Sequence, residues 1–483
     1  MESVTGASSN FVNDVMKYNN LGAGSIYDKP ESSATQWSLM SYLARINYSL
    51  YDRYLFSVNG RVDGSSRFGG NNKYGFFPSG SVAWRISEEG FMEPVKAVIN
   101  NLKLRTSYGF TGNTEIGVYE SLATLGSNSW TIGNQLVSGF YPNRIPNPDL
   151  KWEKTGQFDI GFDLGLFNNR LRLTADYYYK KTTDLLYNVA IPSASGYDSM
   201  LKNIGSVQNK GYELSIESDN LSGAFSWTTA FNISFNRNKV LELGGETYKD
   251  VGTYDDHLKT SDIRRLIVGQ PIGVFYGYRF DGIFQNEAEC AQQTSSPSPI
   301  GVGLRRYKDL NGDGKIDATN DREILGDANP KFFGGMTNTF AYKGFELNVF
   351  LQYSYGNKIF NYNAMELESP TGGQNVYQDL VNRWTPTNPS NEYQKATTNR
   401  NNIVSDRFIE DGSFLKLKTV SLSYSFPKLN WKHIGGLRLY VTGQNLLTWT
   451  KYRGYDPEVS YRGASTLEAG EDFGGYPQAR TFM

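Results

Sequence analysis

The sequence predicts an all-β chain whose antiparallel strands form part of a transmembrane β-barrel with long extracellular loops. Three observations support this fold class: side chains that alternate between apolar and polar, connections that alternate between short and long, and a composition rich in aromatic residues and glycine. The 483 residues include 33 Tyr, 28 Phe and 50 Gly. Aromatic residues favour strands and glycine favours turns, so this composition indicates many strands joined by many turns.

The alternation is clearest between positions 152 and 186. Phe158, Ile160 and Phe162 share one parity, whereas Asp159 and Asp163 share the other. Successive side chains of a strand point to opposite faces, so each strand here has one apolar face and one polar face. Such strands suit a sheet with solvent on one side, or a barrel with lipid outside and water inside.

The same alternation recurs along the chain and gives about twelve strands. The clearest segments are 42–50, 54–58, 82–86, 102–110, 158–166, 171–180, 225–236, 347–355 and 422–426. Most of these segments reach or exceed the roughly 9–11 residues that a tilted strand needs to cross a bilayer.

The connections between these strands are sorted by length. Short or moderate ones fall at 51–52, 87–101, 168–169, 221–223, 342–344 and 427–436, and longer polar ones at 60–79, 111–151, 182–210, 239–331 and 356–413. Outer-membrane barrels have tight turns at the periplasmic rim and long loops at the outer rim. A soluble β-sandwich has no reason to sort its loops in this way, so the barrel is favoured.

The strand count also predicts the domain organisation. We expect a leading segment or loop over 1–36, a partial barrel over 37–448, and a last extracellular loop over 449–483 with the closing strand missing. The chain is therefore expected to be an incomplete part of a larger barrel, and residues 1–20 do not resemble a secretory signal because they lack a basic start and an apolar core.

Composition argues against several classes of function. Lys and Arg number 48 and Asp and Glu 49, so no basic excess indicates nucleic-acid binding. Cys290 is the single cysteine, and His257 and His433 are the two histidines, which makes a zinc site improbable. No catalytic motif is recognisable, so we do not expect an enzyme.

Several segments together resemble one family. They are 147–153 (NPDLKWE), 177–186 (YYYKKTTDLL), 203–213 (NIGSVQNKGYE), 231–238, 269–278 (GQPIGVFYGY), 309–317 (DLNGDGKID) and 443–446 (GQNL). Their order and spread are similar to the C-terminal barrel portion of the SusC/RagA family of TonB-dependent outer-membrane transporters from Bacteroidetes. The resemblance implies a 22-stranded barrel that imports oligosaccharides or peptides with energy from TonB, beneath a surface lipoprotein of the SusD type.

Two alternatives to this interpretation stay open at the level of sequence. A siderophore or cobalamin receptor would use the same barrel architecture without a lid lipoprotein. A secreted, calcium-stabilised β-rich carbohydrate-binding protein would need no membrane, although the sorted loops argue against it.

One loop has the spacing of a calcium site. Asp309, Asn311, Asp313, Lys315 and Asp317 occupy alternate positions, as in an EF-hand loop where the residue at Lys315 contributes its backbone carbonyl. The twelfth position is Asn320 rather than Glu, and Asp321 comes one residue late. Structural calcium is predicted here, and the alternative is a rigid Asn/Asp/Gly turn.

Aromatic and charged residues give further candidates. Candidate ligand or partner contacts are the loop aromatics Trp130, Tyr141, Tyr254, Tyr377 and Trp384, although loop aromatics often only pack their own loop. Candidates for the lining of a solute path are Arg45, Arg105, Asp159, Asp163, Arg172 and Asp176, although such charges often pair with one another. The aromatics expected at the membrane interface are Trp84, Trp227, Tyr353 and Tyr355.

Overall fold

A computed structural model describes residues 2–13, 15, 19–28, 30–197, 199–252, 263–369, 375–398, 402–426, 435–461, 463, 465 and 467–483. Its largest element is a sheet of thirteen strands. These are β1 (Leu39–Leu50), β2 (Tyr54–Ser65), β3 (Tyr74–Arg85), β4 (Ile99–Asn113), β5 (Glu153–Leu166), β6 (Leu171–Thr183), β7 (Ser206–Leu221), β8 (Phe225–Glu242), β9 (Phe332–Tyr342), β10 (Phe345–Tyr355), β11 (Phe414–Ser425), β12 (Arg438–Thr450) and β13 (Thr481–Phe482).

Every strand of this sheet pairs antiparallel with the next one along the chain, as in an up-and-down barrel. The first twelve strands confirm the predicted number. The expected loop over 449–483 needs a correction at its end, because Thr481 and Phe482 pair with Gln444 and Gly443 of β12. Among the described residues no pairing joins β1 to β12 or β13, so the sheet is an open part of a barrel wall.

The two faces of the sheet differ as the alternation predicts. Phe158, Ile160 and Phe162 on β5 are 36–39% exposed on the face that lipid would cover. Asp159 and Asp163 point to the opposite face, which is concave in a barrel and holds water. The sheet is one layer thick, so lipid rather than a second protein layer buries its apolar face.

The connections follow the predicted sorting by length with one exception, 66–73, which is shorter than 86–98 and 426–437 at the opposite rim. At one rim they cover 51–53, 86–98, 167–170, 222–224, 343–344 and 426–437. At the other rim they cover 66–73, 114–152, 184–205, 243–331, 356–413 and 451–480. The turn at Asn168 and Asn169 has positive φ at both residues, which asparagine tolerates better than most residues. The first long connection is shorter than expected because β2 and β3 continue beyond the membrane-spanning pattern.

The longer connections, the leading segment and the 86–98 connection contain secondary structure of their own. The strands are Glu2–Thr5, Ser8–Phe11, Gly24–Tyr27, Glu31–Ala34, Thr124–Ile132, Gln135–Arg144, Leu186–Ala190, Ser199–Asn203, Tyr248–Val251, Arg264–Ile267, Val274–Tyr278, Phe280–Ile283, Arg305–Tyr307, Arg322–Asp327, Lys358–Asn361, Ile409–Asp411 and Glu471–Asp472. The α-helices are Glu287–Cys290 and Tyr362–Leu367, and the 3₁₀ helices are Leu21–Ala23, Ile86–Glu88, Gly90–Val95, Ser193–Ser195, Gln378–Asn382 and Asp406–Phe408. Within the described part of the chain, no helix is long and apolar enough to cross a membrane.

The largest cluster of buried apolar residues described lies in the long connections rather than in the sheet. The main cluster includes Phe275, Phe360, Met365 and Phe408, each fully buried. It draws on residues 243–331 and 356–413, and Phe473 from 451–480 packs against it. We refer to the described residues of these three connections as the loop assembly.

Candidate functional site

The polar face of the sheet carries a ladder of charges near strands β4 to β6. Arg105 lies 2.7 Å from Asp176 and 3.4 Å from Asp163, and Lys103 lies 3.5 Å from Asp163. Ser107 donates to the Asp159 carboxylate at 3.2 Å. These residues come from three neighbouring strands, and the period of two places all of them on one face.

The remaining charges of the predicted solute path also have partners. Arg172 pairs with Glu217 at 2.9 Å, and Arg45 donates to the side chain of Asn47 at 3.1 Å. Mutual pairing therefore accounts for most of the predicted path charges. Even when paired, these charges keep the face polar and hydrated, so a solute can form hydrogen bonds with it.

A cavity of about 560 Å³ lies against this face at strands β1 to β5. Its polar lining includes Asn47, Ser57, Ser81, Arg105 and Asp159. The volume is within the usual range for sites that hold a small molecule. This part of the face can hold a polar ligand by hydrogen bonds.

The loop assembly is held together by buried ion pairs. The Arg264 guanidinium, with no exposed surface, donates to Glu471 at 3.0 Å and lies 4.3 Å from the centre of the Phe275 ring. Burial lowers the pKa of Arg264, and Glu471 opposes that shift. This pair joins the 243–331 connection to the 451–480 connection.

A second buried carboxylate, that of Glu368, forms ion pairs with two arginines. Arg407 lies 2.8 Å and Arg453 lies 2.9 Å from its oxygens, and Arg453 also pairs with Glu410 at 2.8 Å. Burial acts to lower the pKa of Arg453, but hydrogen bonds to Glu410 and Glu368 outweigh it and raise the pKa. The 356–413 and 451–480 connections are joined here.

Lys416 of β11 ties the loop assembly to the sheet. This nearly buried side chain lies 2.6 Å from both Asp456 and Glu458, and Lys418 lies 3.0 Å from Glu458. Burial acts to raise the pKa of Glu458, but the hydrogen bonds from the two lysines prevail and hold the pKa below its ordinary value. The last long connection is therefore anchored on the barrel wall.

These buried pairs were missed from the sequence, because their members lie far apart along the chain. Arg264 and Glu471 are separated by 207 positions. A charged residue inside an otherwise polar loop has no local pattern that marks it as buried. Burial also raises the pKa of the Tyr307 hydroxyl to about 12, and this residue had no sequence signal either.

Two of the predicted contact aromatics take part in loop packing. Trp384 donates its indole N–H to Gln285 at 3.0 Å, and its backbone N–H to the Tyr393 carbonyl at 2.9 Å. Tyr377 packs against the main core cluster, and burial raises its pKa. Tyr254 lies outside the described residues.

Trp130 and Tyr141 are brought together on one exposed hairpin. Strands Thr124–Ile132 and Gln135–Arg144 pair so that Trp130 lies opposite Val137 and Tyr141 lies opposite Gly126. The alternation puts both rings on the same face, where Trp130 is 55% and Tyr141 is 43% exposed. Of the predicted contact aromatics that are described, these two are the ones with rings open to a ligand or partner.

The predicted calcium loop is ordered by its own backbone. Asp309 accepts from the amides of Gly312 and Gly314 at 2.6 and 2.7 Å, and the hydrogen bond from Gly314 is the main reason that its pKa is lowered. Buried Asp321 accepts from the Leu310 amide at 2.8 Å. Among the described residues no three acidic, histidine or cysteine side chains converge. Calcium would require side-chain rotation, and it stays a prediction.

Comparisons with known proteins agree with this architecture. Residues 3–288 match the family model described as TonB dependent receptor-like, beta-barrel. TonB-dependent receptor P3 of Formosa agariphila is 40% identical over 490 residues, which cover 100% of this chain and 48% of the relative. TonB-dependent receptor SusC of Bacteroides thetaiotaomicron is 32% identical over 465 residues, which cover 93% of this chain and 43% of the relative.

A solved structure, of the RagAB peptide transporter, is similar with a TM-score of 0.83 at 27% identity, over 100% of this chain and 51% of the neighbour. The chain thus spans about half the length of the proteins that it matches. The predicted fold class and the resemblance to SusC/RagA are confirmed. The chain belongs to the TonB-dependent receptor-like β-barrel family of the outer membrane, and within it to the SusC/RagA type.

Proposed function

We propose that the chain forms barrel wall and outer loops of a TonB-dependent importer of nutrients. The observation that carries this proposal is the meander of thirteen strands, with a polar inner face, an apolar outer face and a packed loop assembly at one rim. The wall would supply the hydrated passage. The loop assembly would shape the entrance to that passage.

The segments have separate roles in this proposal. Residues 37–448 would provide the wall together with the loops between its strands, and 449–483 would provide the last outer loop and the start of a further strand. Residues 1–36 would form a leading segment, which folds as two nested strand pairs over its described part. TonB would deliver energy to the importer, and a SusD-like lipoprotein would cover its outer rim.

The proposed cargo is a peptide or an oligosaccharide. The similar RagAB structure is that of a peptide transporter, which supports the proposal of a peptide as the cargo. Exposed Trp130 and Tyr141 suit either cargo, because aromatic rings stack on sugar rings and on apolar side chains alike. No catalytic role is proposed, because most charges of the polar face are paired with opposite charges and would line a passage. Calcium is proposed only as a clamp on the 309–317 loop.

Growth on defined nutrients tests this function. The gene that contains this chain would be deleted in its host, and growth would be followed on peptides or oligosaccharides as the limiting source. We expect growth to fail on one cargo class and to return when the intact gene is restored. Normal growth on both classes, with a defect only under iron or cobalamin limitation, would instead identify a siderophore or cobalamin receptor.

A further inference from the structure

The outward face of strands β5 to β8 carries basic side chains where the long connections begin. In one row, Phe158 pairs with Tyr179, Tyr179 with Lys210, and Lys210 with Arg237. In the next row, Lys181 and Lys239 follow in the same register, and Lys154 lies one row beyond. We call Lys154, Lys181, Lys210, Arg237 and Lys239 the basic patch.

The outward-facing rows beneath the basic patch are aromatic and apolar. Immediately below it lie Ile160, Tyr177, Tyr212 and Phe235, which are in register with one another. Further rows toward the short turns hold aliphatic residues such as Leu164. Tyrosine rings mark the boundary between the hydrocarbon and the headgroups of a membrane. The basic patch therefore lies at headgroup level, on the side of the long connections.

The cations of the basic patch are not neutralised by carboxylates. Neither of its two main rows contains Asp or Glu, and Glu242 comes one row further out. Within the described part of the chain, none of the five basic residues lies within 4 Å of a carboxylate oxygen. Four of them are exposed, and Lys154 lies 4.0 Å from the centre of the Phe110 ring.

The rest of the sheet has no equivalent patch. On β1 to β3 the outward row at the same rim is Tyr42, Val62 and Phe76. On β10 to β12 it is Tyr353, Leu415 and Trp449. Both rows are apolar or aromatic. The positive charge is thus a local feature of β5 to β8, not a general property of the outer rim.

A cleft of about 320 Å³ joins the basic patch to the aromatic row. Its lining combines Tyr177, Tyr212 and Phe235 with Lys210 and Arg237. Apolar rings on one side and two cations on the other match a molecule with an apolar body and an anionic head. A small anion with no apolar part would gain nothing from contact with these rings.

We propose that the basic patch binds the phosphate-bearing headgroup of a lipid in the outer leaflet of the membrane. Lys210 and Arg237 contact the phosphate, Lys181 and Lys239 extend the positive surface, and the acyl chains lie along the apolar rows below. Clusters of basic residues beside a membrane attract anionic lipid headgroups. The site is independent of the imported nutrient, since it lies on the lipid side of the wall.

Lipid binding by the intact receptor, purified from outer membranes in detergent, tests this inference. The probes are monophosphoryl lipid A, the same lipid after removal of its phosphate, and inorganic phosphate, with bound lipid counted by native mass spectrometry. The variant is Lys210→Glu with Arg237→Glu. Its control is Lys202→Glu with Lys343→Glu, which changes charge equally at exposed positions away from the basic patch.

The intact receptor should bind the phosphorylated lipid at least about 30-fold more tightly than the Lys210→Glu, Arg237→Glu variant does, since each basic residue contributes roughly fivefold. The control variant should bind like the unchanged receptor. If the Lys210→Glu, Arg237→Glu variant folds poorly, the charge-conserving variant Lys210→Arg with Arg237→Lys is measured instead, and it should retain binding. Equal binding of lipid with and without phosphate would overturn the inference. So would displacement of the lipid by millimolar inorganic phosphate, which would show a free-anion site.

Discussion

The barrel sheet and the loop assembly bury their apolar residues in different ways. The sheet leaves Phe158, Ile160 and Phe162 more than a third exposed, because lipid is their partner. The loop assembly buries Phe275 and Phe360 completely among protein side chains and adds ion pairs with almost no exposed surface. One region is therefore specified by a pattern along each strand, and the other by contacts between distant segments. The two should respond differently to substitution.

The largest effect is expected from Glu471→Gln in the loop assembly. The change leaves Arg264 buried with no opposite charge at 3.0 Å, which typically costs about 3–5 kcal/mol. In the intact receptor the loop assembly should then become sensitive to protease at a temperature where the receptor still migrates as a folded barrel on an unheated gel. The matched control is Glu346→Gln, whose partner Arg438 is about half exposed, and which should cost less than about 1 kcal/mol. Simultaneous loss of both regions would show that they do not unfold separately.

A somewhat smaller effect is expected from a charge on the lipid face of the sheet. Phe162→Arg places a guanidinium in the middle of the apolar rows, where such a change costs about 2–4 kcal/mol. Ser107→Arg, on the polar face beside Asp159, should cost less than about 1 kcal/mol. The measurement is the fraction that folds into lipid vesicles as urea is varied. If both variants fold equally well, the assignment of the two faces is wrong.

This difference also explains what the sequence could predict. The period of two in Phe158 and its neighbours is local, so strand positions, faces and the sorting of connections follow from it directly. Trp384 shows the limit, because nothing beside it in the sequence marks Gln285 as its hydrogen-bond partner. The same holds for Glu368, which draws Arg407 and Arg453 from different segments.

The basic patch is an intermediate case. Lys210, Arg237 and Lys239 share the outward parity of their strands, which the alternation alone would give. Their alignment into rows depends on the register between strands. A one-residue shift in register would turn the whole set of side chains toward the other face, so the pattern of single strands was not enough.

Acid should loosen the anchor between the loop assembly and the sheet. The pKa of Glu458 is lowered in the folded protein, so its pairing with Lys416 and Lys418 stabilises the fold above the unfolded pKa of about 4.3. That stabilisation is lost as the pH falls from there through the folded pKa. The hydrogen-exchange protection of residues 451–461, corrected for the intrinsic pH dependence of amide exchange, should therefore fall between pH 5 and pH 3 in the unchanged protein and should fall less in Glu458→Gln. An identical fall in both proteins would assign the acid sensitivity to other groups.

The smallest effect is expected from calcium at the 309–317 loop. The amides of Gly312 and Gly314 already hold Asp309 in place, so the ion would add stability only after Asp313 and Asp317 rotate toward it. We expect 1 mM calcium to slow proteolysis of this loop by about two- to threefold relative to chelator, and Asp309→Ala to remove the difference. Magnesium is the control ion, since it tolerates such flexible oxygen ligands poorly. Equal cleavage with calcium and with chelator would identify the loop as a turn stabilised by its own backbone alone. The loop would then resemble the rest of the loop assembly, where contacts within the protein are sufficient to hold the structure.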